Sequence, residues 1–345
     1  MKSLVRAREG DFLETVEGLI FDVKGLIHPP DRVIAYLRYL ESPLGDRLKG
    51  GRRYAKIYPL SERERILREN YPHYIYYDRV FDEWLEGVPS NLIAKIYKPE
   101  ERVSELLTKS ELDSFEFQAL KFLCTLRDHS NVPWGSIGLS GSILANLYTS
   151  ESDIDVIVYG RRSCLTIYDS LRELVCEGRS GFAPYSLNDL KRLHEFRSKD
   201  TLMSFEKFYE AERRKASQGK FFGRDFFVRF VLEWGENDES YGDRLYRNAG
   251  YARIKARIED DSESIFTPCK YVISGVKVLE GGAGFQPPRE VVSFRGRFCE
   301  QARRGEWVIA QGKVERVIER DGSEYYRIIL GNKPSDFMII ENSIS

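Results

Sequence analysis

Residues 153–158 read Asp153-Ile154-Asp155-Val156-Ile157-Val158. β-Branched residues in unbroken succession favour extended chain, and a strand turns alternate side chains to opposite faces. The run therefore predicts a strand buried along Ile154, Val156 and Val158 that carries two carboxylates on its other face. Two like charges on one face repel each other unless a cation lies between them. Hard divalent ions such as Mg²⁺ take carboxylate oxygens together with substrate phosphates. Few features of a chain restrict its chemistry as much.

Upstream, Ser140-Gly141-Ser142 precedes the acids with ten residues between Ser142 and Asp153. Gly141 and Ser142 fall at an expected strand-to-helix turn, where backbone N–H groups and a hydroxyl can hold phosphate oxygens. An Asp-x-Asp alone is common at strand edges. Its distance from a Gly-Ser turn raises the reading to phosphoryl or nucleotidyl transfer.

The stretch from Gly138 to Gly160, with Gly141-Ser142 and then Ser152-Asp153-Ile154-Asp155 on a hydrophobic strand, resembles the DNA polymerase β-type nucleotidyltransferase superfamily. The whole chain also resembles a group of archaeal proteins described only as predicted nucleotidyltransferases. The motif covers residues 135–160, within a domain reaching to about 235. The resemblance implies a Mg²⁺-dependent enzyme, with Mn²⁺ as an alternative ion. Asp153 and Asp155 would hold two metals, and Gly141 and Ser142 would bind the β and γ phosphates of a nucleoside triphosphate. The superfamily uses a third carboxylate on a neighbouring strand. Asp225, followed by Arg229 on the strand 223–232, fits that place, with Glu233 at the far end of the same face as the alternative. The implied reaction moves a nucleoside monophosphate to an acceptor hydroxyl, an RNA end first, with loss of pyrophosphate. One departure stands out. Many relatives carry Arg or Lys in the turn after Gly-Ser, whereas residues 143–152 hold no base at all. Arg161, Arg162, Lys191 and Arg192 are the substitutes the sequence offers.

Around this centre the pattern predicts an α+β, multidomain chain. Residues 1–105 read as an amino-terminal α/β domain of short strands with a helix over 62–70, capped by Ser61 and Glu64. Residues 106–240 read as the nucleotidyltransferase domain, a mixed sheet with helices. It begins with a helix from about Lys109 to Asp128 and holds a Ser186/Asp189-capped helix and another over 204–217. Residues 245–345 read as strands only, with an Asp321-Gly322 hairpin, which suggests a small barrel of the OB or SH3-like sort.

The 53 basic and 54 acidic residues cancel, so a polyanion site must be a local patch. Arg289, Arg295, Arg297, Arg303, Arg304, Lys313 and Arg316, with Phe294, Phe298, Trp307, Tyr325 and Tyr326, could track RNA and stack bases. Glu290, Glu300, Glu306, Glu315 and Glu319 interrupt that set. A non-catalytic protein that keeps the fold and binds nucleic acid or a partner is therefore the alternative function. Five scattered cysteines and four dispersed histidines give neither a disulfide framework nor a zinc spacing. With no apolar run near the ~18 residues of a membrane span, a cytoplasmic protein is expected. Neither a P-loop nor a dinucleotide-binding turn occurs.

Overall fold

The computed structural model describes residues 5–199, 201–281 and 284–341. The chain is mixed α+β, with three sheets and seven α-helices among those residues. Its contacts divide it into two compact units. The first comprises the chain up to Asp78, Glu83–Ala183 and Ser217–Tyr241; the second comprises Arg79–Asp82, Pro184–Ala216 and the chain from Gly242 onward. The stretches read as separate amino-terminal and central domains thus fall together, and residues 184–216 group with the carboxy-terminal strands.

The first unit opens with β1 (Phe12–Thr15), β2 (Ile20–Val23), β3 (Arg32–Glu41), β4 (Arg47–Lys49) and β5 (Arg52–Lys56). After α1 (Leu60–Asn70) come β6 (Ile75–Asp78), β7 (Glu83–Pro89) and β8 (Ile93–Tyr97). The sheet runs β4-β5-β3-β2-β1-β8, with the β6–β7 hairpin attached to β3. Alternating burial along β3 puts Val33, Ala35, Leu37 and Tyr39 inside, as period-two patterning requires. The expected capping box at Ser61 and Glu64 does not form. Helix α1 begins at Leu60, with Pro59 as an N-cap that makes no side-chain bond. Ser61 is already helical, whereas a cap needs extended backbone.

Pro99 opens α2 (Pro99–Thr108) at its first turn, where its missing N–H costs nothing. The helix expected from Lys109 starts later, as α3 (Ser114–Ser130), because Asp113 and Glu116 form the reciprocal capping box. The second sheet of this unit contains β9 (Ile137–Leu139), β10 (Ile154–Tyr159), β11 (Phe182–Ala183), β12 (Gln218–Phe221) and β13 (Arg224–Val231), in the order β11-β12-β13-β10-β9. The short helix α4 (Gly141–Leu144) follows β9, and α5 (Arg161–Glu177) follows β10. Only the β10–β13 pair is parallel. Phe122 of α3 packs on Phe182, Phe221 and Phe226 with ring centroids 5.0–5.1 Å apart. All four rings are buried; each contributes roughly 2–3 kcal/mol by burial. This cluster holds β11, β12 and β13 together behind the acids.

The second unit contains α6 (Leu187–Arg197), capped by Ser186 and Asp189 as the sequence predicts, and α7 (Phe205–Glu212), capped by Ser204. Helix α7 stops short of residue 217. Lys215 turns inward to pair with Glu212 at 2.6 Å and to donate to the Arg297 carbonyl at 2.7 Å. Six strands follow: β14 (Leu245–Asp260), β15 (Cys269–Gly281), β16 (Glu290–Ser293), β17 (Trp307–Ile318), β18 (Glu324–Leu330) and β19 (Phe337–Glu341). Pairings β14-β15-β16-β18-β17 return from β17 to β14, so five strands form a closed ring with β19 added on β17. Strands β16 and β18 are parallel and the other pairs antiparallel. Ile254, Ala256, Ile258, Val308, Ala310 and Ile328 lie in the buried cluster of this sheet.

Candidate functional site

The acids are positioned by the parallel pair. Asp155 stands opposite Phe227 and Ile157 opposite Arg229, so these four share a face. One step earlier the same register sets Asp153 against Asp225. The half-buried Asp153 and Asp155 therefore point to one side, as alternation predicts. Ser140 N–H donates to the Asp155 carbonyl at 2.9 Å, which fixes the Gly-Ser turn against β10. Gly141 has φ +63°, and a Cβ there would come within 1.9 Å of Asp155 Oδ2. Only glycine fits both the left-handed backbone and the carboxylate. The Ser142 hydroxyl is buried and, among the described residues, makes no hydrogen bond.

A small cavity, about 40 Å³ in volume, lies on this face and is lined by Gly141, Asp155 and Arg229 and by Phe12, Asp22 and Arg38 from the amino-terminal strands. Burial, and then the neighbouring Asp153, push the Asp155 carboxyl up to about 7. Asp22 behaves oppositely: burial works against its charge, but Lys24, Arg229 and Arg38 outweigh it and hold the carboxyl below its usual range. Its Oδ2 accepts from Lys24 at 2.8 Å, while Oδ1 is buried without a partner.

The third acids fare differently. Asp225 is about half exposed and pairs with Lys220 at 2.9 Å, directly across the β12–β13 ladder. Among the described residues no three His, Cys, Asp or Glu side chains converge as a metal-binding set. Asp153 and Asp155 still suit a divalent ion by donor type and by their shared face, since the raised Asp155 carboxyl is what a cation would relieve. Glu233 does not join them. It follows β13, caps a short turn by accepting from the Trp234 N–H at 3.2 Å, and accepts from Arg8 Nη1 at 2.8 and 2.9 Å.

None of the bases that the sequence offers as substitutes lines the cavity. Arg161 and Arg162 open α5 beyond the far end of β10, and Lys191 and Arg192 sit on α6 in the second unit. The cations acting on Asp155 are Lys56, Arg229 and Arg38. Two of these come from the amino-terminal sheet, which carried no motif to mark them. Glu9 is another residue that no pattern revealed. Fully buried, it pairs with Arg229 at 2.6 Å and Lys24 at 3.2 Å and accepts from the Gly25 N–H. Ser140 Oγ donates to the Gly10 carbonyl at 2.8 Å, a second tie between that sheet and the motif. His28 is structural, with one ring nitrogen facing the Ala7 carbonyl and the other accepting from the Ile34 N–H.

In the second unit the basic–aromatic set is largely consumed. Phe298 is core, Lys313 pairs with Glu315 at 3.1 Å, and Arg316 reaches Glu324 at 3.5 Å. No described helix is long and apolar enough to cross a membrane.

No protein-family model and no solved structure matches the chain. It is 31% identical over 341 residues to the uncharacterized protein MJ1086 of Methanocaldococcus jannaschii, across 96% of this chain and 98% of that one. The chain belongs to the family of that protein.

Proposed function

We propose that the chain is a nucleotidyltransferase of the polymerase β type, transferring a nucleoside monophosphate from a nucleoside triphosphate to an acceptor hydroxyl, with an RNA end as the first acceptor to test. The observation that carries the reading is the closure of the Gly141 backbone on the Asp155 carboxylate, with Asp153 on the same face. Mg²⁺ held by Asp153 and Asp155 would screen the phosphate charge and favour the leaving pyrophosphate. Ser142 would donate its hydroxyl to a phosphate oxygen. Asp225, at the exposed end of the face, would accept the proton of the acceptor hydroxyl once Lys220 yields it. The acceptor oxygen forms its bond to the α phosphorus as the bond to pyrophosphate breaks. The five-stranded ring of the second unit suits a barrel of the OB sort, a fold that binds oligonucleotides, and would contribute to acceptor choice.

Pyrophosphate release from the four nucleoside triphosphates with Mg²⁺ and RNA ends tests this directly. Asp153→Asn and Asp155→Asn should each abolish release without lowering the thermal midpoint. Release unchanged in both variants would sink the proposal. The second reading is a non-catalytic binding protein with the same fold. It is favoured by the size of the cavity, far below the ~300–1,000 Å³ of ordinary ligand pockets, and by the Lys220–Asp225 pair. RNA binding that Asp153→Asn leaves intact, with no thermal response to any nucleotide, would support it.

A further inference from the structure

The first unit matches its buried and half-buried bases with care. Arg8 meets Glu233 and Glu100, Lys24 meets Glu9 and Asp22, and Lys49 meets Glu14. Arg229 meets Glu9. Two half-buried cations beside the Asp155 cavity break this rule. Among the described residues, neither Arg38 of β3 nor Lys56 of β5 makes an ion pair or a side-chain hydrogen bond. Each lies against the Tyr58 ring, at 5.3 and 4.6 Å from its centroid, and reaches the carboxylates of the cavity, Asp155 for both and Asp22 for Arg38, through space without touching them. Removing a cation from water without an anion is costly. The arrangement makes sense where the anion arrives from outside.

We propose that Arg38 and Lys56 form a polyphosphate subsite, taking the phosphate chain of the donor in place of the base that residues 143–152 lack. The inference rests on the nucleotidyltransferase reading for its donor, but the subsite itself is defined by Arg38 in the cavity wall, Lys56 acting on Asp155 from β5, and the Ser142 hydroxyl next to Gly141, unpartnered among the described residues. That cavity admits phosphate oxygens and not a sugar or base. Affinity should therefore follow the length of the phosphate chain and vary little among the four nucleosides. It also gives the amino-terminal sheet a role, since both cations come from it.

Calorimetric titration of the full chain with tripolyphosphate, and separately with ATP and Mg²⁺, tests the subsite. Arg38→Gln and Lys56→Gln should each weaken tripolyphosphate binding by about tenfold, the loss expected for one charge-assisted contact. Arg38→Lys should recover part of the loss. Arg52→Gln is the control, because its exposed side chain already pairs with Glu41. Thermal midpoints identify any variant that fails to fold. Unchanged tripolyphosphate affinity in both Gln variants overturns the subsite. If Asp155→Asn still abolishes the Mg²⁺-dependent ATP response, nucleotidyl transfer survives that result. Tripolyphosphate binding lost in the Gln variants, with no pyrophosphate release from any triphosphate by the unaltered chain, keeps the subsite and removes the transfer. An unaltered chain that binds neither probe overturns both.

Discussion

The Asp155 carboxylate occupies the space that a side chain on Gly141 would need. A Cβ at residue 141 would sit 1.9 Å from Oδ2, on a backbone at φ +63°. Gly141→Ala therefore combines left-handed strain of about 1–2 kcal/mol with a clash costing roughly 1–3 kcal/mol. Gly18 has φ +82° and nothing within 4 Å of its missing Cβ, so Gly18→Ala carries the strain alone. Chemical denaturation should show Gly141→Ala as the less stable variant by the clash. Equal losses in the two would mean that the turn moves freely away from the acid.

The pH dependence of stability has a defined sign. An unfolded Asp titrates near 3.9, whereas Asp155 is pushed up to about 7 by burial and by Asp153. Between those values the folded chain holds a proton that the unfolded chain has released. Stability should thus fall as pH rises from about 4 to about 7 and level off above. Asp11, pushed up to about 7 by burial, acts in the same direction. In urea titrations across that window, Asp155→Asn should flatten the decline, and excess Mg²⁺ should stabilise the unaltered chain above pH 7. Parallel curves for the two proteins would remove Asp155 as the cause.

Asp225 and Glu233 separate cleanly. Glu233→Gln leaves Arg8 half-served and should destabilise the chain by about 1 kcal/mol, given that the Glu233 side chain is 42% exposed. Its nucleotide response should persist. Asp225→Asn should do the reverse, keeping stability within about 0.5 kcal/mol and losing turnover. Thermal midpoints and pyrophosphate release, measured on both variants, decide the assignment.

Arg224 acts through another residue. Its guanidinium donates to the Ser150 and Ser152 carbonyls, each at 2.7 Å, and to Gln118 at 2.7 Å, so it ties down the loop that ends at Asp153. Arg224→Ala should weaken the Mg²⁺ dependence of the nucleotide response, seen as a rise of several-fold in the Mg²⁺ needed for half effect. Arg224→Lys should restore little, because one ammonium cannot span three acceptors set apart in this way. A half-effect concentration equal to that of the unaltered chain would limit Arg224 to general stability.

What could be read from the sequence was local. The strand 154–159 and its carboxylate face follow from alternation, the Ser186 cap from side-chain chemistry, and the 307–330 hairpin from Asp321-Gly322. What could not be read depends on partners far along the chain. Nothing near Glu9 marks it as the counter-ion of Arg229, and nothing in β3 or β5 marks Arg38 and Lys56 as neighbours of Asp155. Short strands such as β8, β12 and β19 were missed for a related reason. Their burial is set by the sheet that receives them, not by their own pattern. The early end of α7 likewise depends on Lys215 finding Glu212 and the Arg297 carbonyl.

The Glu9–Arg229 pair spans 220 residues. At 5–20 residues per second of synthesis, Glu9 leaves the ribosome on the order of 10–40 s before Arg229 is made. During that interval β1 and β2 have Lys24 for company but no β13 to dock against. The floor of the cavity is therefore completed late in the synthesis of the first unit, and a nascent chain stalled before residue 229 would display every motif of the site without possessing one.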